Sequence, residues 1–475
     1  MLTNYQNFFI VGIKGVAMAN IARILLQMGK QVRGSDVEEE FITDTQLSNV
    51  NIISSFDPHL LPTDSEVVLY SAAHQGIHNP QIQEAQKRGL LVLHQAEFIG
   101  ELIKLFDASI AVAGCHGKTT TSALLSYAMT KLGVKPSYLV GVSEFNKLLG
   151  GQFARKEYFI LEADEYAIDP PQDKTPKFHR FYPTHAIVMN IDFDHPDVYK
   201  DLNQTKEAFV TFLKQIVPPE DQKPYIVLCI DDKSTADVAT TLVRDTYVTY
   251  GTSKEADVIV SDIVATEAGM SFKVVSHLLQ INDIFTISLF GEKNVLNAVG
   301  VITLLRLFDF TLNQIQIAID TFEGAKRRFE LLFSHEGTYL FDDYAHHPQE
   351  IRATIQAARM RFPKKRLIVL FQPHTYTRTE ALQADFVTAL QEADISLVAP
   401  VFGSARENVG KNTVSSKDLE AQARQRGITN IVSFSTKEEL IGSLPQQLQK
   451  GDVIFTMGAG DIYKLAPEIR KSISP

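Results

Sequence analysis

Short apolar runs rich in β-branched residues alternate with stretches whose apolar positions recur every three or four residues, and the alternation begins at once. Phe8–Val11 predicts a buried strand, Ala17–Met28 an amphipathic helix, and Gln31–Arg33, after the break at Gly29, a second strand. Together these make a βαβ unit. Further strands are predicted at Val67–Tyr70, Leu90–Leu93 and Ile110–Ala113, separated by helical or turn-like sequence, so a parallel α/β topology follows. Near Phe106–Ala108 one series ends and a new strand leads into a glycine loop, followed by a helix predicted over Ser122–Leu132. The second series takes in Phe159–Leu161, Ala186–Met189 and a section from about Tyr247 to Leu289 whose β-branched residues read as antiparallel. The pattern breaks again at Gly324–Arg328, and Leu340–Phe341, Leu367–Phe371, Ser396–Val398 and Val453–Phe455 predict a third α/β unit. The breaks divide the chain into 1–107, 108–325 and 326–475.

Composition narrows the function classes. The 475 residues are 45% hydrophobic and 21% charged, enough apolar material for several cores. A net charge of -10 argues against binding nucleic acid through a broad basic surface, though a local phosphate pocket stays open. Two cysteines, Cys115 and Cys229, cannot build a disulfide framework, and no segment has the length of a membrane span. The start, MLTNYQNFFIVGIKG, has no basic leader. The expectation is a soluble cytoplasmic protein with no nucleic-acid or membrane partner, a monomer or weak homodimer.

Candidate chemistry collects where predicted strands end. Gly12-Ile13-Lys14-Gly15-Val16-Ala17 follows a strand and opens a helix; close-packed amides at a helix N-terminus suit a diphosphate, and Asp36 in Gly34-Ser35-Asp36 closes the next strand where a ribose or sugar hydroxyl would sit. A tight ligand-free turn is the bland alternative. Ala113-Gly114-Cys115-His116-Gly117-Lys118-Thr119-Thr120-Thr121 is more specific: between a strand and a helix, its amides would cradle phosphates, Lys118 would reach the outer ones and the Thr119 hydroxyl would ligate Mg²⁺. It departs from a perfect Walker A at Val112. Glu162-Ala163-Asp164-Glu165 and Asn190-Ile191-Asp192-Phe193-Asp194-His195 end two other strands and offer the oxygen-rich ligands that a hard cation prefers. Lys326-Arg327-Arg328 reads either as a solvated linker or as a guanidinium source for phosphoryl charge. Tyr344, His346, His347, His374 and Arg378 all lie just past strands of the third unit.

The order GIKGVAM, GSD, NP, GCHGKTTT, EADE, NIDFDH, GEKNVLN, KRRFE, DDYAHHP, FQPHTYTRT, MGAGDIY resembles the Mur ligase family over nearly the whole chain. The resemblance implies α/β architecture in three domains: an N-terminal Rossmann-like domain for UDP-N-acetylmuramate, a central P-loop ATPase domain, and a C-terminal Rossmann-like domain for ATP and the incoming amino acid. Within the family the motifs come nearest to members that join L-alanine to the lactyl carboxylate through an acyl phosphate. The runner-up is the murein peptide ligases, which attach L-alanyl-D-glutamyl-meso-diaminopimelate and are similar in the stretch Tyr166–Tyr182.

Carried over, the resemblance gives Gly114, Cys115, His116, Gly117, Lys118, Thr119, Thr120, Asn294, Asn297, Arg328 and Asp343 to ATP, and Thr119, Glu162 and His195 to Mg²⁺. It gives Gly12, Gly15, Ser35, Asp36, Ser71, Tyr344, His374 and Arg378 to the acceptor substrates, and names Lys118, His195, Arg328 and His346 as catalytic, with His195 or His346 as base. Lys293, where many relatives have histidine, and Thr375, where a basic residue is usual, depart from the pattern. A nicotinamide oxidoreductase would account for the first βαβ unit alone, and a nucleotide switch for the P-loop alone.

Overall fold

The computed structural model describes residues 2–170, 172–216, 225–403 and 414–473. The described chain forms two compact units, one of Met1–Ile263, Ser271–Ser288 and Leu296–Glu323, the other of Val264–Met270, Leu289–Val295 and Gly324–Pro475.

The first unit holds a five-stranded parallel sheet of β1 (Asn7–Val11), β2 (Gln31–Ser35), β3 (Asn51–Ile53), β4 (Val67–Tyr70) and β5 (Leu91–His94), in the order β3-β2-β1-β4-β5. Phe9 and Val68 pack on one face, Phe8 and Leu69 on the other, and all four are buried, as a sheet covered on both sides requires. Strand order reverses between β1 and β4, and such a reversal opens a crevice beyond the strand ends.

A ten-stranded sheet follows, built from β6 (Ala108–Ala113), β7 (Ser137–Phe145), β8 (Leu148–Gln152), β9 (Tyr158–Ala163), β12 (His185–Val188), β13 (Ile226–Cys229), β14 (Tyr247–Gly251), β15 (Val258–Ala265), β16 (Met270–Ser276) and β17 (Ile281–Ile287). Between β9 and β12 a separate antiparallel ribbon pairs β10 (Ala167–Asp169) with β11 (Asp173–Pro176). The order is β17-β16-β15-β14-β13-β12-β6-β9-β7-β8. Parallel register sets Val112 beside Glu162 and Ala113 beside both Ala163 and Val188, so β6, β9 and β12 end at one level.

A glycine seam joins the two sheets' layers. The buried Asn20 of the helix Val16–Gln27 donates to Val140 O and Val142 O (both 2.9 Å), and Arg23 Nε donates to Gly151 O (2.9 Å). A Cβ on Gly150 would lie 1.8 Å from Val142 O and 2.5 Å from the Asn20 amide, so only glycine fits.

The second unit carries β18 (Glu330–His335), β19 (Thr338–Asp343), β20 (Leu367–Phe371), β21 (Ile395–Val398), β22 (Ile431–Ser433) and β23 (Val453–Met457), ordered β18-β19-β23-β20-β21-β22. Only β18 is antiparallel to its neighbour. The segment Leu289–Val295 packs here: the Arg361 guanidinium lies over Phe290 (5.0 Å), Phe341 (5.2 Å), Phe362 (5.2 Å) and Phe329 (5.9 Å).

Most predicted strands lie within a residue or two of those observed. Two expectations are corrected. The helix after the P-loop spans Lys118–Lys131 rather than Ser122–Leu132, because Gly117 at φ +87° turns the chain straight into it. The section from Tyr247 does not begin antiparallel, since β14 runs parallel to both β13 and β15. No helix among the described residues is long and apolar enough to cross a membrane.

Candidate active site

Beyond β6 the chain turns through Gly114 (φ +138°) and Gly117 (φ +87°), both in conformations that favour glycine. A Cβ on Gly117 would sit 3.0 Å from Asn297 Oδ1, so the loop passes closely by that predicted nucleotide contact. Asn190 at the end of β12 pins the loop from the side: its Oδ1 accepts from His116 N (2.8 Å) and its Nδ2 donates to His116 O (2.9 Å). The Cys115 thiol donates to Asp192 O (3.2 Å), and burial holds its pKa well above the ordinary thiol value. Thr120 is buried in the first turn of the helix.

Lys118 Nζ donates to Glu165 Oε2 (2.6 Å) and Gly114 O (2.7 Å). Burial opposes its charge, yet Glu165 and Asp164 more than compensate, and the ammonium stays charged above the ordinary lysine range. The same contacts act on the acids. Burial works against ionisation of Glu165 and Asp164, but Lys118 overrides it for the first and Lys177, with Lys118, for the second, so both carboxyls lie below the usual range. Lys177 Nζ is 2.7 Å from Asp164 Oδ2.

Two groups of hard ligands flank this lysine. Thr119 Oγ1 donates to Glu162 Oε2 (3.1 Å), while Glu162 Oε1 accepts from Gly141 N (2.6 Å) and Ser122 Oγ (3.1 Å). Glu165, Asp194 and His195 form the second, each offering one ligand atom within 4.8 Å of the others. His195 adopts φ +53°, and its ring lies against that of Tyr166 at 4.5 Å. Glu162 and His195 thus belong to different groups.

At the crevice of the first sheet, Gly12 closes β1 at φ +74° and donates to Ser35 O (2.8 Å), and Gly15 caps the helix Val16–Gln27 without a side-chain bond. Ser35 and Asp36 are buried. Ser35 Oγ donates to Gln81 Oε1 (2.5 Å), and Asp36 accepts from Lys14 N (2.7 Å) and Val37 N (2.8 Å). Burial opposes the Asp36 charge, but the His74 side chain and these amides hold its carboxyl below the usual range. Ser71 Oγ accepts from Ala73 N (3.3 Å).

Within the second unit, Asp343 ends β19 and accepts from Ala345 N (2.8 Å) and Phe329 N (3.0 Å); burial pushes its pKa up to about 6 against the pull of Arg328. Arg328 lies over the Tyr344 ring (5.1 Å) and 4.0 Å from Glu350. His346 Nδ1 lies 3.0 Å from Tyr344 O and 3.3 Å from Glu350 Oε2. Its ring meets that of His374 edge-on at 6.3 Å. Arg378 is buried in the first turn of the helix Tyr376–Ala381. Asn294 Nδ2 donates to Phe290 O (2.8 Å).

Residues 7–107, 112–305 and 327–460 match, in turn, the patterns of the Mur ligase family catalytic domain, the Mur ligase middle domain and the Mur ligase glutamate ligase domain. A UDP-N-acetylmuramate--L-alanine ligase of Caldanaerobacter subterraneus is 33% identical over 98% of this chain and 97% of its own. One of Limosilactobacillus reuteri is 37% identical over 97% of both chains. The chain belongs to the Mur ligase family. Its fold agrees with solved members of the family: the UDP-N-acetylmuramate-alanine ligase of Thermotoga maritima matches with a TM-score of 0.77 at 24% identity, over 98% of this chain and 99% of that one. A murein peptide ligase from Psychrobacter arcticus follows at 0.73 and 23%, over 98% of both.

In this Mur ligase the P-loop lies beside the two acidic strand ends, whose side chains divide into two groups. The sequence offers Glu165 and Asp194 only as members of two acidic strand ends, and the structure groups both with His195. Asn190, which braces the P-loop, stands in the quoted NIDFDH motif without a role; its one signal is an amide at the end of a strand adjoining the P-loop strand.

Proposed function

We propose that this Mur ligase joins L-alanine to the lactyl carboxylate of UDP-N-acetylmuramate, converting ATP to ADP and phosphate. The observation that carries this reading is the near-complete overlap, at 33% and 37% identity, with relatives bearing that name. The murein peptide ligase likeness, at 23%, speaks for the fold alone.

The chemistry runs in two displacements. A lactyl carboxylate oxygen attacks the γ-phosphorus and ADP leaves; the alanine amine then attacks the acyl carbon, and phosphate leaves with the oxygen that carried it. Lys118, charged and fixed by Glu165 and Gly114 O, is assigned to stabilise the transferred phosphoryl group, with Arg328 as a second cation. Thr119 and Glu162, and separately Glu165, Asp194 and His195, present oxygen-rich sets that suit Mg²⁺. When bound, the ion would neutralise phosphate charge. Glu162→Gln keeps the shape and loses the charge, so a magnesium titration should show a raised requirement; an unchanged one would remove Glu162 from the metal site.

The alanine ammonium must lose a proton before it attacks. Tyr344 O can only accept, so the hydrogen bond from His346 places the proton on Nδ1 and the lone pair on Nε2, the tautomer of a base. His346 is therefore preferred to His195, whose ring belongs to the metal group. Arg378 is assigned to the amino-acid carboxylate.

Phosphate release in the presence of ATP and UDP-N-acetylmuramate tests the reading, with L-alanine and L-alanyl-D-glutamyl-meso-diaminopimelate offered separately and in equal competition. L-alanine should support far faster turnover. Predominant tripeptide product would overturn the choice of acceptor.

A further inference from the structure

His74 reaches the nucleotide-sugar crevice from β4 through an unusual turn. His74, Gln75 and Gly76 all have positive φ, at 51°, 71° and 53°. Non-glycine residues pay for that conformation, and it persists where surrounding structure enforces it, often at ligand clamps. Here the enforcing neighbour is Asp169 of the β10–β11 ribbon: a Cβ on Gly76 would stand 2.5 Å from its carboxylate. The segment Tyr166–Tyr182, whose role the sequence leaves open, thereby supports this turn.

The turn lays the imidazole on the first loop. A Cβ on Gly12 would meet His74 Cδ2 at 3.1 Å, and the ring packs on Phe56 at 4.7 Å between centroids. His74 Nε2 is 3.3 Å from Asp36 Oδ1, while the other Asp36 oxygen takes Lys14 N at 2.7 Å. Asp36 is thus fully enclosed, whereas the His74 side chain keeps 26% of its exposure. The loop's own cation is directed elsewhere: Lys14 Nζ donates to Glu39 O at 2.8 Å and lies over Phe41.

We propose that His74, oriented by Asp36 across Gly12, contacts the diphosphate of the nucleotide sugar, and that Asp36 is a positioning residue which acts through it. The inference rests on the proposed function and adds a residue to it. Only the imidazolium carries an N–H on both nitrogens, and in that form the ring gives Nε2–H to Asp36 and Nδ1–H to a phosphate oxygen, beside the N-terminus of the helix Val16–Gln27.

Calorimetric binding of UDP-N-acetylmuramate, UDP and uridine to the full chain tests this, with His74→Ala, His74→Phe and His74→Gln compared with the parent. Loss of the donor in Ala and Phe should weaken both diphosphates about tenfold, a change of one charged hydrogen bond, and leave uridine and the KM for ATP unmoved. Gln, which keeps an N–H, should recover part of the loss. Parent-like binding by Phe would mean that the ring only packs, and an equal loss for uridine would move the contact to the nucleoside; either overturns the assignment. His74→Gln also guards against misfolding, since a folded Gln variant as weak as Ala would overturn the donor role by itself. If the parent binds no UDP-N-acetylmuramate, the proposed function fails instead.

Discussion

The charge at Lys118 is held by its neighbours rather than by solvent. Glu165 and Gly114 O fix the ammonium, so Lys118→Ala removes a positioned electrostatic donor and leaves the sheet intact. Turnover should fall by a factor of about 10² to 10³ or more, as for loss of a comparable transition-state donor, while calorimetric binding of UDP-N-acetylmuramate stays near that of the parent. A folded variant with normal turnover would remove the P-loop from the mechanism. The paired acids predict a signed pH dependence. Asp164 and Glu165 titrate lower in the fold than in an unfolded chain, so their contribution to stability is present above the ordinary carboxylate range and is lost as pH falls through their folded values. Asp343 has the opposite sign: its pKa rises from 3.8 to about 6, and its contribution is present below the lower value and lost as pH rises through the upper one. Denaturant unfolding against pH should show the first loss flattened in Asp164→Asn and the second absent in Asp343→Asn; unchanged profiles would contradict the lysine pairing of the first and the burial of the second.

At the scale of elements, legibility followed chain locality. The P-loop could be read because a buried strand, two turn-forming glycines and a helix are contiguous, and each leaves a mark in composition. The difference between Glu162 and Glu165 could not, because it depends on which neighbouring strand each faces: Glu162 is in register beside Val112, while Glu165 lies past the strand end near His195. Asp36 looked like a ligand residue because it closes a strand, and nothing local reveals that Lys14 N and His74 enclose it. Packing between layers was equally hidden, since nothing local marks Gly150 and Gly151 as the floor on which Asn20 rests. Gly150→Ala would drive a methyl into Val142 O, so it should destabilise the first unit by about 1–3 kcal/mol or more, the cost of overpacking, seen as a lower thermal midpoint. A neutral effect would show that the seam can open without cost.

For the whole molecule, the sequence puts the last boundary at 325 and 326, and the first unit ends at Glu323, but the second unit also recruits Leu289–Val295 and Val264–Met270. Such discontinuity leaves no compositional signature, because Phe290 is an ordinary apolar residue until Arg361 is found above it. A fragment beginning at Gly324 would lose that ring and the Gly291 backbone beside Ala357, and should melt below the corresponding transition of the full chain, checked by calorimetry. Equal melting would show that the recruited segments add no stability.

The shared level at which β6, β9 and β12 end has a consequence for how this enzyme can vary. Phe159, Ile160 and Leu161 are buried whichever face they take, so a strand such as β9 accepts one apolar side chain for another. A one-residue deletion within it would preserve much of that burial and exchange the faces of Glu162 and Ala163, carrying the carboxylate away from Thr119. The strand's count of residues therefore constrains the site more than their identity does, and length changes should be tolerated better in the loops than within β9.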